Sequence, residues 1–571
     1  MNTATALPSS APASAAMPNF LDNIFARLRR SSERVVLHEM HDQQFVSVTG
    51  RELLAQVRHA RSYLRRSGLQ GGDRCALLAS NSIAWAALDL ALMAEGLVVV
   101  PLYSRAAPGE LVSVLKDCQP RYLFVSEESL AETVRKAWPN DSAAPASVLL
   151  PEVFSVPDLI PPLPDAPIPR SDGELVTIMY TSGTSGEAKG VCLNLANVTF
   201  MLSRTSERLN QLMGATRETE RVFQYLPFNF TASWMALLTF LSRDSVVALS
   251  TDLTRLAEEI RLAAPHYFLN VPALLERVRR GVEDTLTKRS WIIRSLFARA
   301  RDAWKREHVG RGGTGDALWL ALGRKLIFSK IRGRFGPHLR ALICGSAPLA
   351  AETQQFFLML GIPVLQVYGL TETTGICTMD DPRLPIEPGC VGTAIPGIDM
   401  CVAENDEIVV RGPNVFSGYW QRPEDTARVL SDGWFHTGDQ GEVNVRGNWR
   451  LIGRVKNLVI LHSGHKIPPE PIEERIRNLL PAAQQVVVVG NGRGYLSLLV
   501  VGPLLAAAVQ SALDSINPEL PHYRQIRHFT ILSEPFTAEN GLLTATGKLR
   551  REVINARFAE EIAAMYEGKA Q

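Results

Sequence analysis

The sequence predicts an α/β protein. A large N-terminal domain of parallel sheets covered by helices is joined to a β-rich subdomain and a small, mobile α+β C-terminal domain. Three observations carry this expectation. Between residues 20 and 177, helical periodicity alternates with short Val/Leu-rich runs at 75–79, 97–100 and 122–125, the pattern of a parallel sheet crossed by helices. Segments 407–411 and 441–445, bounded by Gly and Asp, read as antiparallel strands. From Lys456 the pattern changes again, to strands at 458–461, 485–489 and 496–501 with a helix over 471–480 and another at the C-terminus. That makes a unit of about 115 residues, an ordinary size for one domain.

At 571 residues the chain exceeds one compact core. It divides into a tail (1–18), a main domain (19–455) carrying a helical insertion (283–334), and a C-terminal domain (456–571). The tail is Ala/Ser/Pro-rich without a charged side chain and lacks the basic and leucine-rich regions of a signal peptide, so disorder is expected. The apolar run 83–102 is broken by Asp89, Glu95, Gly96 and Pro101, and reads as a helix and a buried strand instead of a membrane span. Seven prolines between 151 and 169 mark a linker, and further strands are expected at 175–180, 246–249, 339–343 and 364–367.

A hydrophobic fraction of 46% with 21% charged residues is that of a soluble globular protein. Sixty Lys and Arg against fifty-eight Asp and Glu leave no basic excess, which argues against a nucleic-acid partner. Seven scattered cysteines without a CxxC pair argue against a disulfide framework or a zinc site and point to a reducing cytoplasm.

The strongest local signal is Tyr180-Thr-Ser-Gly-Thr-Ser-Gly-Glu-Ala-Lys-Gly190, directly after a strand. Thr181, Ser182, Gly183, Thr184, Ser185 and Gly186 form a turn rich in N–H and O–H donors, and Lys189 adds a positive charge, a set suited to phosphate oxygens. The run is not a GxxxxGK[ST] loop, and Gly547-Lys548-Leu549 fails that pattern too. A GxGxxG at 310–315 lies between helical stretches, not after a strand, so it does not mark a dinucleotide site.

This loop resembles that of the adenylate-forming superfamily of acyl-CoA synthetases, luciferases and peptide-synthetase adenylation domains, where it contacts the ATP phosphates. The resemblance runs over nearly the whole chain after Phe20, with the motifs in the family's order. It implies adenine contacts at Gly345, Ser346 and Ala347 in Cys344-Gly-Ser-Ala-Pro-Leu349, and at Gln366, Tyr368 and Gly369 in Gln366-Val-Tyr-Gly-Leu-Thr-Glu-Thr373. It further implies an α-phosphate contact at Thr371 and a magnesium ligand at Glu372, a hard oxygen donor suited to that ion. Asp439 in Gly433-Trp-Phe-His-Thr-Gly-Asp439, with Arg454, resembles the ribose grip. Lys456 falls at the family's hinge, although Asn457 stands where many members have Asp. Lys548 resembles the lysine that bridges acid and ATP during adenylation, where an ammonium offsets the repulsion between two anions. Gly464 resembles the glycine beside which the thiol arm passes.

Segment 226–234 matches the part of the family that shapes the acid pocket, implying roles for Phe230, Thr231 and Trp234. Amino-acid-activating members carry an Asp at the position of Thr231 to hold the ammonium; Thr231 has no charge, which disfavours amino acids. The insertion is similar to that of long-chain acyl-CoA synthetases. Between 288 and 334 it holds thirteen Lys/Arg against three Asp/Glu, and Trp291, Ile292, Leu296, Phe297, Ala300 and Trp304 recur at helical spacing. That stripe either packs on the main domain or lies on an anionic membrane at the inner face. The expected activity is a fatty acyl-CoA synthetase using ATP, Mg2+ and coenzyme A. Two other readings stay open: an aryl or specialised acid ligase that loads an acyl carrier protein, and a catalytically silent acyl- or nucleotide-binding protein on the same fold.

Overall fold

The computed structural model describes residues 19–41, 44–140, 142–182, 188–215, 218–537, 540–543 and 548–567; the expected tail lies outside them. Among these, two large sheets form the main domain. The first, of nine strands, has a parallel centre that runs Val364–Tyr368, Ala341–Cys344, Tyr267–Asn270, Glu220–Gln224, Ser245–Leu249 and Val35–His41, with antiparallel strands at both margins. The second, of seven, has a parallel run Leu175–Ser182, Val98–Leu102, Arg74–Leu78, Tyr122–Val125 and Ala146–Leu149. The strands expected at 122–125, 407–411, 485–489 and 496–501 appear with those bounds.

Helices Ile83–Ala94 and Thr231–Ser242 are buried on nearly every side, and their residues share one hydrophobic cluster with both sheets. A helix apolar all round has no solvent face to offer, so the two sheets close over it. Ser82 caps the first helix through the Trp85 N–H, and Gly96 at φ +73° turns the chain into the strand Val98–Leu102. The run read as helix plus buried strand is therefore just that. Among the described residues, no helix is long and apolar enough to cross a membrane.

The segment 407–454 builds the β-rich unit, an antiparallel sheet with Trp434–Val443 between Glu407–Arg411 and Trp449–Arg454. Beyond Val455–Asn457 the chain makes separate cores. Gln485–Val489, Leu496–Val501 and Ile526–Leu532 form a three-stranded sheet whose clusters contain only residues from 459 onward. The strand Ile526–Leu532 was not expected. The C-terminal helix is two short ones, Arg551–Arg557 and Ala559–Ala564.

Inside the first cluster sits one carboxyl group. Asp89 is wholly buried; its Oδ2 accepts the Trp234 indole N–H at 2.9 Å and its Oδ1 has no hydrogen-bond partner. Burial pushes its pKa from 3.8 up to about 7, against the pull of the Trp234 hydrogen bond. The folded state then keeps a proton that the unfolded chain releases, so stability falls as pH rises between those values. Below the window both states are protonated and the cost vanishes. Asp89→Asn should gain on the wild type across this window by a few kcal/mol, on the order of 1.4 per pKa unit. Denaturant titrations at several pH values check this; parallel pH profiles in the two proteins would refute it.

Candidate active site

The adenine-side motifs follow the C-terminal ends of two adjacent parallel strands, Ala341–Cys344 and Val364–Tyr368, where ligands of open α/β sheets bind. Ser346 and Ala347 are exposed there, Ser346 in the left-handed region at φ +79°. Gly369 is required by close approach: a Cβ on it would stand 2.1 Å from the Gly375 carbonyl oxygen. Gln366 does not serve as expected. Its side-chain amide donates to Gln354 Oε1 and to the Cys390 carbonyl, both at 2.9 Å, in a buried network that holds the strand in place.

Three distant segments meet at one carboxylate. Asp439, 6% exposed, accepts the Tyr368 hydroxyl at Oδ2 (3.0 Å) and the Arg454 guanidinium at Oδ1 (2.8 Å). Asp439 and Arg454 are paired across neighbouring antiparallel strands, so the sheet register itself sets the ion pair. Burial raises the Asp439 pKa, while Arg454, Tyr368 and Lys548 draw it back down. Lys548, from the far end of the C-terminal domain, has Arg454, Asp439 and Glu372 as its electrostatic neighbours. Much of its side chain still meets solvent, but protein around the ammonium lowers its pKa, as does Arg454; Asp439 and Glu372 oppose the shift.

Glu372 lies in the short turn Thr371–Thr373 after the second adenine strand. Desolvation raises its pKa, and its Oε1 accepts the Tyr419 hydroxyl at 2.9 Å. A desolvated carboxylate oriented by a hydrogen-bond donor is a fitting ligand for a hard cation such as Mg2+. Thr371 accepts the Thr231 hydroxyl at 3.2 Å, which brings the phosphate side and the acid side of the site into contact.

The Gly/Ser/Thr run joins strand Leu175–Ser182 to an antiparallel strand, Ala188–Asn194. Thr181 and Lys189 face each other across this hairpin; residues 183–187, with the expected Gly183, Thr184, Ser185 and Gly186, lie outside the described residues. Lys189 Nζ pairs with Asp425 Oδ2 at 2.9 Å and stands 5.2 Å from the centre of the Tyr419 ring.

Phe230 is half-buried and packs on the second hydrophobic cluster, while Thr231, 3% exposed, opens the following helix. Trp234 is corrected: with no exposure and its indole N–H spent on Asp89, it belongs to the first core and not to an open pocket. Lys456 is exposed in the turn Val455–Asn457 that precedes the C-terminal cores. Asn457 donates to Glu470 Oε1 at 2.5 Å, and a carboxylate there would instead meet like charge. Gly464 sits at φ +82° with open space around its Cβ position, so here the backbone conformation, not crowding, asks for glycine.

Sequence reasoning missed Tyr419 and Asp425. Both follow Gly418, which at φ +135° turns the chain into the helix Pro423–Val429; that Gly-Tyr…Pro turn was the available signal. Tyr419 contacts both Glu372 and Lys189, so it positions the two groups together. Tyr419→Phe keeps the ring and removes the donor. It should raise the magnesium concentration needed for half-maximal activity by about tenfold, the worth of one hydrogen bond to a charged group. An unchanged magnesium titration would count against this role.

Residues 24–420 match the family of AMP-binding enzymes, and residues 456–570 match the AMP-binding enzyme C-terminal domain. The chain is 29% identical to the long-chain-fatty-acid–CoA ligase FadD15 of Mycobacterium bovis over 95% of its length and 96% of that relative. It is 27% identical to long chain acyl-CoA synthetase 2 of Arabidopsis thaliana, over 88% and 85% of the two chains. Among solved structures, the o-succinylbenzoate coenzyme A synthetase of Bacillus subtilis in complex with ATP and magnesium shares the fold. Its TM-score is 0.71 at 20% identity, over 94% of this chain and 99% of that one. By these matches the chain belongs to the AMP-binding enzyme family, as an AMP-forming acid–CoA ligase.

Proposed function

We propose that the acid is a medium- or long-chain fatty acid, activated as its acyl-adenylate and then passed to coenzyme A. The observation that carries this reading is the acid side of the site. Thr231, where an amino-acid ligase needs a carboxylate, is uncharged and turned to Thr371, and Phe230 beside it belongs to an apolar cluster. A carboxyl group is met by hydroxyls and a tail by hydrocarbon. The names of the relatives in FadD15 and the plant synthetase support the same class. Pyrophosphate exchange should rise with alkyl length, each added buried CH2 being worth about 0.8 kcal/mol at most. A best substrate among amino acids or short polar acids would overturn the proposal.

In the first half-reaction a carboxylate oxygen of the acid bonds to the α-phosphorus of ATP, and the bond to the bridging oxygen breaks with its electron pair leaving on pyrophosphate. Thr371 orients the α-phosphate, and the ammonium groups of Lys548 and Lys189 offset the charge that accumulates. Glu372 would hold magnesium, which when bound would supply Lewis-acid neutralisation of phosphate charge. In the second half-reaction the coenzyme A sulfur bonds to the acyl carbon, and AMP leaves with the bonding pair. Lys548 serves the first step and Gly464 the second, through two orientations of the C-terminal domain about Lys456. The electrostatic neighbourhood of Lys548, with Asp439 and Glu372, supports its service in the first step.

Lys548→Ala should slow adenylate formation by about 10²–10³ and spare thioester formation from supplied acyl-adenylate. Gly464→Leu should do the reverse. Equal damage to both halves in both variants would leave the alternation without support. Because the pKa of Lys548 is lowered, its charge is lost at less alkaline pH than that of an ordinary lysine, whose pKa is about 10.4. The exchange rate should fall with rising pH below that value, and Lys548→Arg, though slower, should lose this alkaline limb.

A further inference from the structure

The helix Trp291–His308 and the helix Thr314–Gly323 form an antiparallel pair. Its register is read from Arg306 on Asp316, the Arg299 guanidinium over the Trp319 ring, Gly323 against Ala300, and Phe297 edge-on to Phe328. One stripe, with Leu296, Phe297, Ala300, Ala303 and Trp304, packs into the second hydrophobic cluster. The amphipathic stripe expected from sequence is thus largely a packing face. It leaves out its own beginning: Trp291 is 70% exposed and Ile292 59% exposed. By the register above, residues 324–330 of the returning chain come alongside that same end, where Leu326 is 43% exposed.

Exposed cations surround these apolar side chains. Lys288, Arg289 and Arg294 lie within one helical turn of Trp291, and Lys325 and Lys330 accompany Leu326. The three acids within 288–334 do not neutralise them, since Asp302 pairs with Arg301, Asp316 with Arg306, and Glu307 lies toward the loop end; Glu283 and Asp284, exposed just before Lys288, leave the cations of this end in excess. Over the whole chain the charge is only +2, so an excess of ten within residues 288–334 is a local asymmetry and not a general basicity.

We propose that this end of the helical pair is a docking surface for an anionic lipid bilayer, with Trp291 and Ile292 entering the headgroup region and the cations pairing with lipid charge. Indole is the side chain best suited to that boundary, apolar in body and polar at one edge. Basic groups around it are complementary to an anionic leaflet, each worth about 1 kcal/mol, or roughly fivefold in binding. Nucleic acid would use the cations but has no place for an exposed Ile292 and Leu326. The buried face of the same pair shares its cluster with Phe230, so the surface and the acid pocket border one hydrophobic region. That functional link rests on the fatty-acid reading; the docking itself does not.

The test is co-flotation of the full chain with phosphatidylcholine vesicles, with and without phosphatidylglycerol. Binding should require the anionic lipid and weaken as salt is raised. The triple variant Lys288→Glu, Arg289→Glu, Arg294→Glu should bind at least about 10² more weakly, from three removed charges at about fivefold each. The double variant Trp291→Ser, Ile292→Ser should bind more weakly, with the remaining binding keeping its salt dependence. Exchange activity on a short water-soluble acid and thermal unfolding should be unchanged in both, which excludes misfolding as the cause. Equal binding to neutral vesicles, unaltered binding in the variants, or capture by duplex DNA with vesicles ignored would each overturn the proposal. Vesicle binding without activation of any fatty acid would instead leave the docking standing and remove the proposed substrate class.

Discussion

Asp439 is the point on which the rest of the site is assembled. A carboxylate at 6% exposure is costly to keep ionised unless charge and donors surround it, and here they come from separate parts of the chain. The parallel sheet contributes Tyr368, the antiparallel sheet contributes Arg454, and the C-terminal domain contributes the field of Lys548. The two sheets share the first apolar cluster and the C-terminal domain folds around clusters of its own, so Asp439 is where two separate packing solutions have to agree. The same constraint steadies the lysine of the C-terminal domain, because Asp439 and Glu372 both oppose the loss of its charge.

Much of the architecture was legible because it depends on short-range patterns. Val/Leu runs of four or five residues alternating with helices gave strands such as Tyr122–Val125 with the bounds observed, and the helix-strand reading of 83–102 followed from a few breaking residues. The strand Ile526–Leu532 was not legible: it carries charged and polar residues in its first half, and its strand character comes from pairing beside Leu496–Val501. The strand Ala188–Asn194 was not legible, since the run 188–194 has no alternation that separates a strand from the start of the helix that follows it.

The site was legible at the level of motifs and less so at the level of atoms. Tyr368, Glu372, Asp439, Arg454 and Lys548 are brought together, but membership of a motif does not say which way a side chain is spent. Gln366 is claimed by Gln354 and the Cys390 carbonyl, and Trp234 by a carboxyl 145 positions away. Tyr419 was invisible for the converse reason: its partner Glu372 lies 47 positions earlier, and a lone tyrosine after a glycine states nothing about such a contact. Asn457 shows the reverse direction of inference, where a departure from the family's usual residue finds its explanation in the Glu470 carboxylate beside it.

The boundary between the two hydrophobic clusters falls between Phe230 and the helix Thr231–Ser242. Thr231 opens a helix held to the first cluster through Trp234, while Phe230 packs on the second. Inheritance can therefore act on the two separately. Substitutions in the second cluster can reshape the space for a tail, and carry a lineage from one acid to another, without loosening the framework on which the chemistry stands.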